Sequence, residues 1–461
     1  MGEKMNYKKY LLSIAVSYAF AGQGFAAPSA DEIKQIGSTL TEFGATIAGN
    51  SDGSIPAYDP AKALTKPPAG YSPRQAAGGF PYVDPYAGEK PLFSITSKNL
   101  AQYADKVDDG NKALLAQYPD YRLDVYPTHR SAPPLPKFAH DNTLNNIAKP
   151  HLEGEGTGLA DAHAQVPFPI PKTGNEAMWN FVVRFFRPYE SGNFATYLID
   201  SAGEKTLVTD STVFYEHEYW DPSKTSSDYA NRLVNNNKAP AAKSGSKDMR
   251  YTPLRLDIKS DSAWSYSPGQ RRVRLAPEFK YDTVSAQYGG LITFDEITGF
   301  DGKQDRFEFK LIGKKEMYVP YNTYRTASAK LDELVKSGFV NPDKVRWELH
   351  RVWEVEATLK SGQRHTNPKK RFYLDEDSWN MAMYNSYDAA GKLHHSQNFV
   401  LFVGYDDVPM MRSEGVLIYD HSKRNYALAS LPFDTRTGWY AVPPFSPNLL
   451  SPSAMAGAGI R

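Results

Sequence analysis

Residues 347–359 of the chain read Trp-Glu-Leu-His-Arg-Val-Trp-Glu-Val-Glu-Ala-Thr-Leu. In an extended chain the apolar residues of this stretch share one face and mainly polar residues take the other, a pattern that only Arg351 and Val352 interrupt. The alternation predicts a half-buried β-strand, longer than the roughly five or six residues of an ordinary strand. Strands this long belong to strongly coiled sheets or partial barrels. The apolar face consists of Trp347, Leu349, Trp353, Val355, Ala357 and Leu359.

The same period of two occurs in other parts of the chain. Phe307, Phe309 and Leu311 alternate with charged residues, and an earlier alternating run spans residues 179–185. Short turn signals such as Pro268-Gly269 separate the strands, and connections this short cannot make parallel crossovers. We therefore predict one large antiparallel sheet in a mainly β fold with some α-helix. The remaining predicted strands are 205–219, 251–258, 263–276, 291–297, 371–374, 379–387, 392–402, 415–420 and 425–431.

The first residues of the chain have the pattern of a secretory signal peptide. Basic Lys4, Lys8 and Lys9 precede an apolar run at 10–21, which is shorter than the roughly 20 residues of a membrane span. Small residues then favour cleavage between Ala26 and Ala27. We expect a periplasmic protein that is soluble after cleavage, and peripheral association with the outer membrane stays open.

Composition excludes several classes of protein. The chain has no cysteine, so it has neither disulfides nor the residue that carries a bacterial lipoprotein's acyl anchor, and a metal site would need His or carboxylate ligands. A formal net charge of +1 provides no field for a nucleic acid backbone. We therefore predict no nucleic acid partner.

Two amphipathic helices are predicted before the sheet. The first begins at Ser29, with Glu32 completing a capping box, and continues to Gly49; the second covers about 97–117. A Pro-, Gly- and Tyr-rich wrap at 53–91 lies between them, and the polar stretch 221–247 is predicted to be a loop. The predicted organisation is a signal peptide at 1–26, N-terminal helices and wrap at 27–150, the sheet domain at 151–442 and a low-complexity tail at 443–461.

No local cluster predicts catalysis or metal binding. In Glu216-His217-Glu218 the histidine of an extended strand points away from both carboxylates, so we interpret the cluster as a polar edge, and the pair His394-His395 has the same geometry. Residues 375–377 (Asp-Glu-Asp) are predicted to form a solvated turn. We find no nucleophile elbow, phosphate loop or zincin spacing, and we predict no catalytic residue, metal or cofactor. A hydrolase whose carboxylates come from distant positions remains an alternative.

The most distinctive stretch is residues 264–277, Trp-Ser-Tyr-Ser-Pro-Gly-Gln-Arg-Arg-Val-Arg-Leu-Ala-Pro. It predicts a hairpin whose Pro-Gly turn joins an aromatic strand to a basic one. Arg272 and Arg274 project together. They fit either an outer face with cross-strand charge pairs or a cavity mouth that holds a carboxylate or phosphate head group.

This stretch, in order with several others, resembles the domain of unknown function 1329 family of proteobacterial periplasmic proteins. The family is similar to the LolA and LolB lipoprotein carriers. The resemblance implies a strongly curved, unclosed antiparallel sheet, an open half-barrel, with helices across its concave face and a hydrophobic cavity. It also implies a resistance-nodulation-division transporter and an outer-membrane partner, but no catalytic residues. The other matching stretches are 126–130, 168–171, 178–180, 315–322 and 373–379.

We therefore expect a carrier or binding protein for a lipid-like hydrophobic ligand, serving an envelope transport system, and not an enzyme. The alternatives are an envelope-acting hydrolase and a non-catalytic adaptor that docks on a transporter through the Tyr- and Pro-rich wrap. Arg272 and Arg274 are the candidate head-group ligands. The candidate cavity residues, each of which also fits an ordinary core position, are Trp264, Tyr266, Phe307, Phe309, Trp347, Trp353 and Val355.

Overall fold

The computed structural model of the chain describes residues 28–71, 82–277, 280–405, 408–433, 436–446 and 448–456. The predicted signal peptide lies outside these ranges. Within them, no helix is both long enough and apolar enough to span a membrane.

Helices are short and strands dominate. The α-helices of the described ranges are α1 (Ala30–Ile33), α2 (Asp109–Gln117), α3 (Lys137–Asn146), α4 (Gly174–Val182), α5 (Tyr324–Ser328) and α6 (Leu331–Leu334). The strands are β1 (Phe93–Ile95), β2 (Leu123–Val125), β3 (His151–Glu153), β4 (Gly158–Ala160), β5 (Tyr189–Ile199), β6 (Lys205–Glu216), β7 (Tyr229–Ala239), β8 (Lys247–Pro253), β9 (Ser262–Ser267), β10 (Arg272–Leu275), β11 (Phe307–Pro320), β12 (Trp347–Leu359), β13 (Lys369–Asp375), β14 (Met381–Tyr387), β15 (Leu393–Gly404), β16 (Met410–Asp420), β17 (Asn425–Leu431) and β18 (Gly438–Ala441).

Among the described residues, 16 strands form one sheet, in the order β1-β2-β12-β13-β14-β15-β16-β17-β5-β6-β7-β8-β9-β10. β11 pairs with β12, and β18 pairs with β5. The pairing is antiparallel except for one parallel bridge, between Trp347 of β12 and Val125 of β2. The predicted large antiparallel sheet is confirmed, and its longest strand pair contains the stretch 347–359.

The sheet is curved and does not close into a barrel. Eight consecutive strands of the order, from β14 to β8, contribute side chains to the wall of one cavity of about 240 Å³. Eight strands about 4.8 Å apart would span roughly 34 Å if they lay flat, so the sheet must wrap around this space. The two ends of the order, β1 and β10, do not pair with each other. This confirms the predicted open, curved sheet.

The elements that cover the cavity are not the two predicted helices. Its lining comes from the end of α4 with the residues after it, and from an irregular segment at 287–302 that contains the 3₁₀ turn Phe294–Glu296. The prediction of a strand at 291–297 was therefore wrong. No lining residue comes from 29–49 or 97–117.

The first predicted helix is much shorter than expected. The capping box between Ser29 and Glu32 forms, but α1 ends at Ile33. Beyond it Gly37 and Gly44 have φ values of +82° and +78°, which a right-handed helix cannot contain. The apolar residues at helical spacing instead follow a chain of tight turns.

The second predicted helix divides at Asp108. The side chain of Asp108 accepts hydrogen bonds from the backbone N–H of Gly110 (2.9 Å) and Asn111 (3.4 Å), which caps α2. Only a 3₁₀ turn, Leu100–Gln102, forms before it. The N-terminal half of the prediction was therefore wrong, because Asp108 begins a new helix.

Residues 179–185, predicted as a strand, lie in α4 and the turn after it. Thr173 and Glu176 form a capping box that starts this helix, and α4 is buried on nearly every side. Apolar Ala177, Met178, Phe181 and Val182 recur at helical spacing behind the capping box, so the prediction was wrong because it took the shorter alternation at 179–185 for the period of the segment.

Two inner strands of the sheet were not predicted. β7 lies inside the stretch 221–247, which was predicted to be a loop, and β5 was not predicted at all. β8 begins and ends several residues before the predicted strand 251–258. Asn231 and Asn235 of β7 face the cavity. Because these inward residues are polar, the strand lacks the apolar alternation by which strands were predicted.

Gly44 holds the N-terminal segment against the loop at Pro169. A Cβ atom at Gly44 would lie 1.7 Å from the backbone oxygen of Pro169, whereas a Cβ at Gly53, also at positive φ (+75°), would meet nothing within 4 Å. We predict that Gly44→Ala lowers the free energy of unfolding by about 3 kcal/mol and Gly53→Ala by about 1 kcal/mol. Urea unfolding followed by tryptophan fluorescence measures both, and equal losses would contradict the close approach.

Candidate functional site

The cavity is lined by aromatic rings and by small residues. β5 and β6 contribute Thr196, Thr209, Ser211 and Val213, whose side chains are too short to fill the hollow of the curved sheet. The cavity therefore remains open beside them. The aromatic lining consists of Phe181, Phe186, Phe194, Tyr215, Tyr288, Phe294, Phe300, Phe399 and Trp439.

Most charges of the wall form ion pairs. Arg250 contacts Asp301 through both terminal nitrogens, one of them at 2.9 Å. Arg412, also in the wall, lies 3.4 Å from Glu190 and 3.2 Å from Glu414. Each of these two arginines therefore has a carboxylate partner within 4.0 Å.

His217 is a buried aromatic residue of the cavity wall. Its ring stacks between Phe186 at 4.1 Å and Tyr215 at 4.4 Å, and it is 4% exposed. Burial, aided by the nearby charges of Arg184 and Arg412, holds the pKa of His217 well below its usual value, so the ring is neutral. The prediction of a polar edge at 216–218 was therefore wrong at this residue.

The two carboxylates beside His217 have partners of their own. Glu216, also buried, accepts a hydrogen bond from Arg232 at 2.6 Å, and Glu218 pairs with Lys224 at 2.8 Å. The three residues do not form one site.

Arg184 is the one cationic lining residue, among those that the structure describes, with no carboxylate within 4.0 Å. Its Nε donates to Asn380 Oδ1 at 3.1 Å and its Nη1 donates to the Phe181 carbonyl at 2.8 Å. The guanidinium carbon lies 4.5 Å from the centre of the Phe181 ring and 4.4 Å from that of Phe186. Burial lowers the pKa of Arg184 to about 10, so the group is still charged at neutral pH.

Arg184 was not singled out from the sequence, although a signal exists. Residues 181–187 read Phe-Val-Val-Arg-Phe-Phe-Arg, which places a cation in the middle of an apolar run. A charge in such a run must either find a partner or face an interior space.

None of the nine predicted ligand-binding residues lines the cavity. Arg272 and Arg274 are exposed on β10, the end strand of the sheet. Trp264 and Tyr266 of β9 belong to a small apolar cluster with Leu450 and other residues near the C-terminus.

The other five residues pack in the main core. Phe309 lies one layer behind the cavity, with its ring 5.6 Å from that of the lining residue Phe300. Trp353 stacks on Trp379 with 5.9 Å between ring centres. The remaining three, all buried in the main core, are Phe307, Trp347 and Val355.

The predicted solvated turn at 375–377 is instead a buried ionic cluster. Asp375, Glu376 and Asp377 are 0%, 1% and 3% exposed. Asp377 accepts two hydrogen bonds from Arg130, at 2.6 and 2.9 Å. Asp375 accepts one from Ser378 at 2.5 Å. The N-terminal segment folds over these carboxylates and removes them from water, which the local sequence could not show.

The rings of His394 and His395 stack at 3.8 Å, so the prediction that they diverge was wrong. With Asp420 they bring three metal-ligating atoms within 4.8 Å of one another, as do His350, Asp375 and Asp377. Both sets already have protein partners. His395 Nδ1 lies 3.0 Å from Glu296, and Asp420 Oδ1 accepts hydrogen bonds within the β16–β17 turn. We assign no metal to either set.

The fold and the site together define a curved-sheet protein with an amphipathic internal cavity. The model of the family described as "Protein of unknown function (DUF1329)" matches residues 94–455, and the chain belongs to this family. The uncharacterized protein PA3922 of Pseudomonas aeruginosa is 36% identical over 455 residues, 96% of each chain. The resemblance found in the sequence is confirmed.

Three solved structures align with about three fifths of the chain. A putative outer membrane lipoprotein-sorting protein domain from Vibrio parahaemolyticus is 11% identical, with a TM-score of 0.41 over 62% of this chain and 98% of its own. A DUF1329 family protein from Desulfovibrio piger is 12% identical, with a TM-score of 0.42 over 61% and 97%. A LolA superfamily protein, NE2245 from Nitrosomonas europaea, is 9% identical, with a TM-score of 0.36 over 60% and 97%.

Asp375 should make stability depend on pH. Burial and then the charge of Asp377 raise its pKa to about 7, whereas an unfolded chain loses this proton near pH 4. The folded protein binds the extra proton between these values, so the contribution to stability is full below about pH 4 and is lost as the pH rises through 7. Asp375→Asn does not titrate. We predict that wild type loses on the order of 3 kcal/mol relative to this variant between about pH 5 and pH 8.

Urea unfolding at both pH values measures this difference. The matched control is Asp332→Asn, which removes an exposed carboxylate that pairs with Lys205. If wild type and Asp375→Asn change in parallel with pH, the raised pKa is contradicted.

Proposed function

We propose that the protein is a periplasmic carrier or binding protein for a lipid-like hydrophobic ligand, and that the cavity is where the ligand is held. The observation that supports this is the space of about 240 Å³ surrounded by eight strands and lined by phenyl rings. Burial of an acyl chain there would contribute about 0.8 kcal/mol per methylene. Affinity would then come mainly from chain length.

The wall suits binding better than catalysis. A glycan or lipid hydrolase with two catalytic carboxylates needs both to face the substrate. In this cavity Asp301 is bound by Arg250, and Glu190 lies against Arg412 and His217. We therefore propose a non-catalytic role.

The sequence supports a setting for this role. The predicted signal peptide supports export to the periplasm. The family resemblance supports a functional association with a resistance-nodulation-division transporter and an outer-membrane partner. We propose that the protein exchanges its ligand with such a system.

A variant that fills the cavity tests the proposal. Val213 of β6 lines the cavity, whereas Leu207 of the same strand is partly buried elsewhere. We predict that wild type binds the neutral apolar dye N-phenyl-1-naphthylamine with increased fluorescence, that Val213→Trp weakens binding roughly tenfold or more, and that Leu207→Trp does not.

Circular dichroism and the urea midpoint of each variant establish that it is folded. If wild type binds neither this dye nor any acyl amphiphile, the carrier proposal fails. Equal binding by Val213→Trp and wild type would move the ligand site out of this cavity.

A further inference from the structure

Arg184 has more hydrogen-bonding capacity than the protein uses. A guanidinium has five N–H donors, and two of those of Arg184 make hydrogen bonds, to Asn380 and to the Phe181 carbonyl. The other three have no protein partner among the described residues, and the side chain is half-buried at the cavity wall. The Phe181 and Phe186 rings fix the plane of the group.

The positive charge of Arg184 has no carboxylate in contact with it, unlike the other arginines of the wall. Arg250 and Arg412 have carboxylate partners, and His217 is neutral. The remaining acid, Asp248, accepts hydrogen bonds from Asn237 at 3.2 Å and Gln287 at 3.1 Å, and burial raises its pKa. Arg184 is therefore the one cation of the described lining with no carboxylate within 4.0 Å, in surroundings where an unpaired charge is costly.

The size of the cavity limits the ligand. Pockets for drug-sized molecules occupy roughly 300–1,000 Å³, and this one has about 240 Å³. A single chain of medium length suits this space better than the two chains of a diacyl lipid.

We propose, building on the proposed function, that Arg184 binds the anionic head of a single-chain amphiphile, a carboxylate or a phosphate, whose chain lies against the phenyl rings. Guanidinium groups bind both anions through paired N–H donors, and the free edge of Arg184 offers such donors. The ligand class is thus a medium-chain carboxylate or alkyl phosphate, and not a neutral hydrocarbon or a diacyl lipid.

Displacement of N-phenyl-1-naphthylamine tests this class with four C10 competitors: decanoate, decyl phosphate, decanol and didecanoyl phosphatidate. We expect one of the two single-chain anions to displace the dye from wild type at roughly tenfold lower concentration than decanol, and the diacyl lipid to compete less well than decyl phosphate. The anion that displaces the dye at the lower concentration identifies the head group. If decanol competes as well as both anions, this inference fails while the carrier proposal stands.

Variants assign the preference to Arg184. Arg184→Met should lose the preference for the anion over decanol, whereas Arg184→Lys, which keeps the charge, should retain part of it. Arg272→Met is the matched control, because Arg272 is exposed on β10 and was the head-group candidate from sequence. An undiminished preference in Arg184→Met, or a loss in Arg272→Met, overturns the assignment. If Arg184→Met does not fold, the preference for anion over decanol is still compared between wild type and Arg184→Lys, and an equal preference in the two overturns the assignment.

Discussion

The inward curvature of a single sheet is the constraint on which the rest of the structure depends. Consecutive strands from β14 to β8 direct side chains at one small volume, and this volume is either filled by large residues or left open. Around β11 to β13 large rings such as Phe309 and Phe372 fill the interior and form the main core. Along β5 and β6 four inward residues are short, namely Thr196, Thr209, Ser211 and Val213, and the space beside them stays open. Core and cavity are thus two parts of the same concave surface.

Burial of arginine in this fold has two forms. Arg130 lies against Asp377, and Arg346 lies against Glu348 at 2.6 Å, so each charge is neutralised where the N-terminal segment or a neighbouring strand covers it. Such pairs are costly to break but add little net stability, because two charges must leave water to form them. Arg184 differs in having aromatic rings and neutral oxygens around it in place of a carboxylate. Pairing with a carboxylate inside the protein therefore accounts for the buried charges of Arg130 and Arg346, but not for that of Arg184.

The sequence was most informative where strands alternate between core and solvent. The stretch 347–359 became β12 with its predicted bounds, the hairpin around Pro268-Gly269 became β9 and β10, and strands from β13 to β17 were found within a few residues. It misled where tertiary contacts override the local pattern. Helix α4 is buried on nearly every side, the glycines after α1 need positive φ, and the acidic run 375–377 is covered by a distant segment. The segment that covers residues 375–377 has no local signature there, whereas α4 has one in its Thr173–Glu176 capping box, which the alternation at 179–185 obscured.

The site was harder to predict than the fold for a physical reason. A search for ligand-binding residues selects large apolar side chains, but in a close-packed interior such side chains fill the space that a ligand would need. Trp347, Phe307 and Val355 are core residues for this reason. A cavity stays open where side chains are too small to fill it, so strands around it have Thr, Ser and Asn on the inward face. Such strands lack apolar alternation and are predicted as weak strands or loops, as β7 was. In a curved sheet of this kind, the sequence signal of a cavity is therefore a run of small or polar residues at alternate positions on neighbouring strands, beside a cation that lies in an apolar run.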